Sequence, residues 1–151
     1  MKTRSAKHSD IPSLCNLLRI LFSQEEEFLV DQGLQKQGLT KIIEDAERGI
    51  ILVLEKDEAI VGMVNLLFTI STFTGGKVAI LEDMVILPDC RGGGTGSFLL
   101  QAAIEKATQL GCSRITLLTD MSNVRAQAFY QRSGFHKSTM LPMRINLPNK
   151  G

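Results

Sequence analysis

Apolar positions change their spacing several times along the chain, and each change marks an element. After a short N-terminal stretch that reads as a strand, Ser9-Asp10 offers helix N-cap oxygens. Ile11, Leu14, Leu17, Leu18 and Leu21 then recur at helical spacing. A polar, acidic segment follows Phe22. A second helical stretch carries Leu39, Ile42, Ile43 and Ala46, with Gly49 expected as its stop. Ile50 to Glu55 and Ile60 to Ile70 read as a hairpin around Lys56-Asp57-Glu58-Ala59. A second turn, Thr74-Gly75-Gly76-Lys77, leads into a strand from Val78 to Leu87 that Pro88 ends.

From Gly96 to Leu110 the period returns to 3.6, with Leu100, Ala103, Ala107 and Leu110 on one face and Gly111 as cap. Arg114 to Thr119 reads as a buried strand. Asn123 to Arg132 reads as a helix with Gly134 beyond it. One or two closing strands are expected from Phe135 onward, ending with Met143 to Leu147. Hairpin strands precede a strand-helix-strand crossover. The expected fold class is therefore α/β (α+β), with a mixed, mostly antiparallel central sheet of six to seven strands and helices on both faces.

The 151 residues suit one domain, expected to span 1–151, and no linker, repeat or low-complexity stretch divides them. A composition of 44% hydrophobic and 22% charged residues is that of an ordinary globular chain, and a net charge of +1 implies neither a nucleic-acid nor a membrane partner. No apolar run reaches the roughly 18 residues needed to span a bilayer. Met1-Lys2-Thr3-Arg4-Ser5 has no apolar core behind it, so no signal peptide is expected. Cys15, Cys90 and Cys112 lack metal-ligand spacing and are expected to be reduced thiols of a cytoplasmic protein, with no metal.

The most informative segment is Pro88-Asp89-Cys90-Arg91-Gly92-Gly93-Gly94-Thr95-Gly96-Ser97, which joins a strand to a helix. Glycine permits positive φ and close approach of a ligand to the backbone. Successive N–H groups at a helix N-terminus converge on an anion, and Arg91 adds a charge that can fork onto phosphate oxygens. The physical reading is a pyrophosphate cradle. A P-loop would need a lysine before Ser97, and a dinucleotide fingerprint would need one further glycine after Gly96. A flexible helix cap without ligand is the alternative, but so many glycines cost too much chain entropy for a cap alone.

Arg91-x-x-Gly94-x-Gly96 resembles the Arg/Gln-x-x-Gly-x-Gly/Ala signature of the GNAT superfamily of N-acetyltransferases. Leu81 to Pro88 resembles that family's fourth strand. Asn123 to Phe135 resembles its Asn-x-x-Ala-x-x-Phe-Tyr-x-x-x-Gly-Phe helix and strand start. The resemblance spans nearly the whole chain; an extra glycine at Gly93 departs from it. It implies a GNAT-like fold and a transferase, an acetyltransferase that moves an acetyl group from acetyl-CoA to a primary amine by direct attack in a ternary complex. The competing class is a non-catalytic acyl-CoA-binding or regulatory module of the same fold. A small-molecule or peptide amine is the implied acceptor, and a homodimer is allowed for.

Such chemistry needs a base for the amine, stabilisation of the carbonyl oxygen and a proton for the departing thiolate. Glu82 and Asp83 lie in an otherwise apolar strand, and alternation is expected to put them on opposite faces. The resemblance favours Glu82 as the cleft-facing base, directly or through a water; pairing with a nearby cation is the alternative. It makes Tyr130, the chain's one tyrosine, the general acid, against a core aromatic with a satisfied hydroxyl. The expected cofactor-binding set is the backbone of Met84, Val85 and Ile86, the turn Arg91, Gly92, Gly93, Gly94, Thr95, Gly96 and Ser97, and Asn123. Asn123 suits an N-cap equally well. Cys90 has no histidine at fixed spacing and is not expected to be a nucleophile. His8 and His136 read as surface residues. Glu25, Glu26, Glu27 and Asp31 would suit a cationic acceptor or a solvated face.

Overall fold

The computed structural model describes residues 1–23 and 32–148. The chain divides into two compact units, Met1–Leu118 and Thr119–Gly151. The first unit holds β1 (Lys2–Ser5), α1 (Ile11–Ser23), α2 (Gln32–Ile43), β2 (Gly49–Lys56), β3 (Ala59–Ser71), β4 (Gly76–Ile86), α3 (Thr95–Gln109) and β5 (Ile115–Leu117). The second holds α4 (Val124–Arg132). The five strands form one sheet in the order β1-β2-β3-β4-β5. The first four are mutually antiparallel and β5 runs parallel to β4, as the crossover through α3 requires.

Both faces of the sheet carry buried residues. Ile51 and Val53 of β2, Met63 of β3 and Val85 of β4 pack with Ile11, Leu14, Leu17 and Leu18 of α1 and Leu39 of α2. The alternate residues Leu52, Leu54, Val64 and Leu66 are buried toward the opposite face. There α3 packs against β2, β3 and β4 and buries Leu99, Leu100, Ala103 and Ala107. A Cβ on Gly62 would come 3.5 Å from Leu99 Cδ2, which places α3 on that side.

The N-terminus is pinned by charge. Arg4 donates from Nη1 to Asp10 Oδ2 at 2.7 Å and from Nη2 to Oδ1 at 3.0 Å, while its Nε grips Glu55. Asp10 also accepts from the Lys7 N–H at 2.8 Å, closing the single turn that leads into α1. The Arg4 guanidinium holds the Asp10 carboxyl below its ordinary range.

Three expectations are corrected. Helix α2 ends at Ile43, and Gly49 starts β2 instead of stopping the helix. A Cβ at Gly49 would lie 2.6 Å from Leu66 O, so the close approach of β3 is what requires glycine there. Among the described residues the sheet has five strands where six to seven were expected. Among the described residues no strand follows β5; Met143, Ile145 and Leu147 alternate correctly but are exposed. Pro142 and Pro148 bracket this segment and remove a ladder donor at each end.

No helix among the described residues is long and apolar enough to cross a membrane.

Candidate active site

Strand β4 carries one residue more than β3 needs. Met63 pairs with Val85 and Asn65 with Glu82, so Asp83 and Met84 together oppose Val64. This is a β-bulge. Asp83 takes φ 53°, a left-handed conformation that costs a non-glycine residue on the order of 1 kcal/mol and persists where surrounding structure enforces it. Here Asn65 Nδ2 donates to Asp83 Oδ2 at 2.7 Å. Directly opposed residues of an antiparallel pair share a face, so Glu82 lies on the Asn65 face. The bulge brings the Asp83 carboxylate to that face as well. The expected alternation of Glu82 and Asp83 onto opposite faces is thereby overturned: simple period-two reasoning fails across an inserted residue. Glu82 is exposed, and Asp83 is half-buried.

The ladder between β4 and β5 ends before the bulge. The two strands pair only over Ala79–Leu81 against Ile115–Leu117, while β4 continues to Ile86. The Leu87 N–H donates to Val61 O at 2.8 Å. Ladder alternation therefore turns the Val85 N–H toward β3 as well and leaves the Ile86 N–H and C=O on the opposite edge. Met84 sits in the bulge itself. Of the three residues expected to offer backbone donors, Ile86 has the clearest outward N–H, and the side chain of Val85 belongs to the core.

The glycine-rich turn follows immediately. Gly92, Gly93 and Gly94 take φ of 89°, 61° and 84°, and a Cβ on any of them would meet nothing within 4 Å. Their requirement for glycine is conformational, and the space a side chain would fill lies open beside the backbone. Gly94 is the N-cap of α3. Thr95, 5% exposed, locks the turn by donating Oγ1–H to Gly92 O at 3.0 Å. Arg91 donates Nε–H to Ile86 O at 2.9 Å, which leaves its terminal nitrogens for another partner. Gly96 and Ser97 lie in the first turn of α3. A depression of about 330 Å³ opens at this turn, lined by Lys56, Asp89, Arg91, Gly92, Gly93 and Thr95 among others. The open cradle, helix N-terminus and fixed guanidinium fit a phosphate-bearing ligand such as CoA.

In the second unit Asn123 Oδ1 accepts from the Ala126 N–H at 3.0 Å, so this residue caps α4 as one of its two readings required. Tyr130 packs edge-on between Phe129 at 5.2 Å and Phe135 at 5.7 Å between centroids. Burial pushes its phenol above the ordinary value. Cys90 is half-buried and unpaired, as are Cys15 and Cys112. Glu25, Glu26, Glu27 and Asp31 lie outside the described residues. Sequence reasoning passed over Asn65 and Lys56. A lone amide within the apolar run Ile60 to Ile70 was the available signal for the first; Lys56 was read only as a turn residue.

The fold and this arrangement define an acyltransferase architecture, and comparison with known proteins agrees. The model of the Acetyltransferase (GNAT) family matches residues 13–135. The chain is 30% identical over 154 residues to YhfO, an uncharacterized N-acetyltransferase of Bacillus subtilis, covering 99% of this chain and 100% of that one. It is 31% identical to thialysine N-epsilon-acetyltransferase of Bos taurus over 87% of this chain and 81% of that one. Its fold matches that of a predicted acetyltransferase from Clostridium acetobutylicum, solved with acetyl-CoA. That match has a TM-score of 0.80 and 18% identity, and covers 96% of this chain and 95% of that one. The chain belongs to the Acetyltransferase (GNAT) family and is an acetyl-CoA-dependent N-acetyltransferase.

Proposed function

We propose that the protein transfers the acetyl group of acetyl-CoA to a primary amine by direct attack in a ternary complex, with residues 1–151 acting as one catalytic domain. The observation that carries this reading is the sequence of bulge, strand edge past the end of the β5 ladder and glycine turn along one continuous segment, Glu82 to Ser97. Bound acetyl-CoA supplies an activated thioester carbon and a thiolate leaving group. Arg91, Gly92, Gly93, Gly94, Thr95, Gly96 and Ser97 hold its pyrophosphate through backbone N–H groups, the α3 N-terminus and the guanidinium. The edge of β4 from Met84 to Ile86 hydrogen-bonds the pantetheine arm and polarises the carbonyl.

Glu82 takes the proton from the ammonium form of the acceptor, directly or through one water; its exposure suits a group that must meet substrate. Tyr130 donates a proton to the departing sulfur. A phenol whose acidity is weakened by burial stays protonated at neutral pH and is available as a donor. Asn123 shapes the start of α4 and so supports the cofactor arm. The similarity to a thialysine N-epsilon-acetyltransferase supports an aliphatic amine as acceptor. Three unpaired cysteines suit a cytoplasmic setting. A thiol-release assay with acetyl-CoA and a panel of primary amines tests the reading. Acetyl-CoA binding without thiol release for any amine would leave a non-catalytic acyl-CoA module instead.

A further inference from the structure

We infer that Asn65 is a positioning residue for the acceptor: its amide holds the Asp83 carboxylate on the Glu82 face of β4, so that an incoming ammonium meets two carboxylates. The inference rests on the acyl-transfer reading above and deepens it to a cationic acceptor.

Asn65 is 2% exposed and stands between Val64 and Leu66, both 0% exposed, in the middle of β3. An amide in such surroundings is costly unless its polar atoms are engaged. Its Nδ2 donates to Asp83 Oδ2 at 2.7 Å. An ionised carboxylate only accepts, so this contact fixes which end of the amide faces Asp83. The other end, Oδ1, is buried and has no partner among the described residues. A residue kept only to satisfy the sheet would be apolar, as its neighbours are; this one commits its donor end to Asp83 and leaves its oxygen without a partner among the described residues.

What it holds is the departure from regular β-structure that matters most to the site. Asp83 is the inserted residue, at φ 53°, and without the bulge its side chain would leave the opposite face from Glu82. With the bulge clamped, Glu82 and Asp83 are adjacent carboxylates on one face. Two such groups favour a cation strongly and discriminate against neutral or anionic acceptors. Asn65 touches neither the acceptor nor the thioester in this account; it acts through Asp83.

The test uses the full chain with spermidine, lysine and an aminoglycoside as probes. Thiol release gives kcat and the KM of each substrate, and calorimetry without acetyl-CoA gives amine binding. Asn65→Leu should lower kcat/KM for the amine on the order of 10²-fold through misplacement of the carboxylate, with acetyl-CoA affinity unchanged. Asn65→Thr keeps a donor and should recover part of the loss. Asp83→Asn should weaken amine binding by itself, and adding Asn65→Leu should then change little, because coupled residues are not additive. A folded Asn65→Leu with wild-type KM for the amine overturns the inference. So does equal loss of amine and acetyl-CoA affinity, which marks a scaffold role only. If Asn65→Leu does not fold, unchanged amine binding in Asp83→Asn overturns it. Absence of thiol release by the wild type across the whole panel of primary amines would instead sink the acyl-transfer reading, and amine calorimetry would still decide the role of Asn65.

Discussion

Arg91 donates its Nε–H to the carbonyl oxygen of Ile86 at 2.9 Å, tying the cation of the glycine turn to the end of the strand that runs from the bulge. The turn and the strand edge are thus held as one piece, which is what a ligand lying along both would need. Between them, Gly94 caps α3 at φ 84° with open space where a Cβ would stand. Gly94→Val should therefore leave the fold in place at a cost of roughly 1–2 kcal/mol for a left-handed β-branched residue. It should abolish the rise in melting temperature produced by acetyl-CoA. Circular dichroism checks the fold and thermal melts check binding. A normal acetyl-CoA shift in Gly94→Val would put the phosphate cradle elsewhere.

Glu82→Gln should keep acetyl-CoA affinity and lower turnover by about 10²- to 10⁴-fold, the range for a missing general base. Much of the loss should return at high pH, where the acceptor amine deprotonates unaided. A kcat profile from neutral to alkaline pH reads both effects. Equal activity of Glu82→Gln and wild type at neutral pH would move the base to Asp83 or to water.

The glycine turn was legible in the sequence. Glycine's backbone freedom is a local property, so Gly92, Gly93 and Gly94 marked the turn by composition alone, and each takes positive φ. The buried faces of α1 and of α3 as far as Ala107 followed from spacing, also a local property, whereas Leu110, expected on the α3 face, is exposed past the helix end. The relation of Glu82 to Asp83 did not follow, because an inserted residue leaves no mark in a run of one strand; it exists only as a mismatch against β3. Asn65 was passed over since its meaning depends on a partner eighteen positions away. The closing strand was read from the alternation of Met143, Ile145 and Leu147, but a strand is made by its ladder, and Pro142 and Pro148 weaken one there.

Tyr130→Phe should lower kcat and kcat/KM together on the order of 10²-fold, with acetyl-CoA binding nearly unchanged, because only the hydroxyl is lost. Burial raises the folded phenol's pKa above its ordinary value near ~10. The midpoint of any alkaline loss of wild-type turnover assigned to this group should therefore lie above that of a free phenol, and the loss should vanish in Tyr130→Phe. A packing role alone predicts a stability loss of about 1 kcal/mol, seen as a lowered melting temperature, with kcat intact. Melting temperature and kcat measured on one preparation separate the two.

Asp10→Asn weakens a bidentate pair whose carboxylate is buried while Arg4 keeps its Glu55 partner, and should destabilise the fold by about 1.5 kcal/mol at neutral pH. The sign of the pH dependence follows from the depressed folded pKa of Asp10. Its stabilisation is fully present above the unfolded value near ~3.9 and is lost as pH falls through the lower folded value. The gap in melting temperature between wild type and Asp10→Asn should stay constant from neutral pH to about pH 5 and close below it. A gap independent of pH down to strong acid would show that Asp10 contributes through shape and not through charge.

The most direct test is release of free CoA thiol from acetyl-CoA by the purified wild-type chain across a panel of primary amines, with the acetylated product identified by mass. The account predicts thiol release that requires both amine and protein, one acetyl group gained per thiol released, and saturation in acetyl-CoA. Binding of acetyl-CoA with no amine-dependent thiol release, or stabilisation by NADH and not by acetyl-CoA, would contradict it.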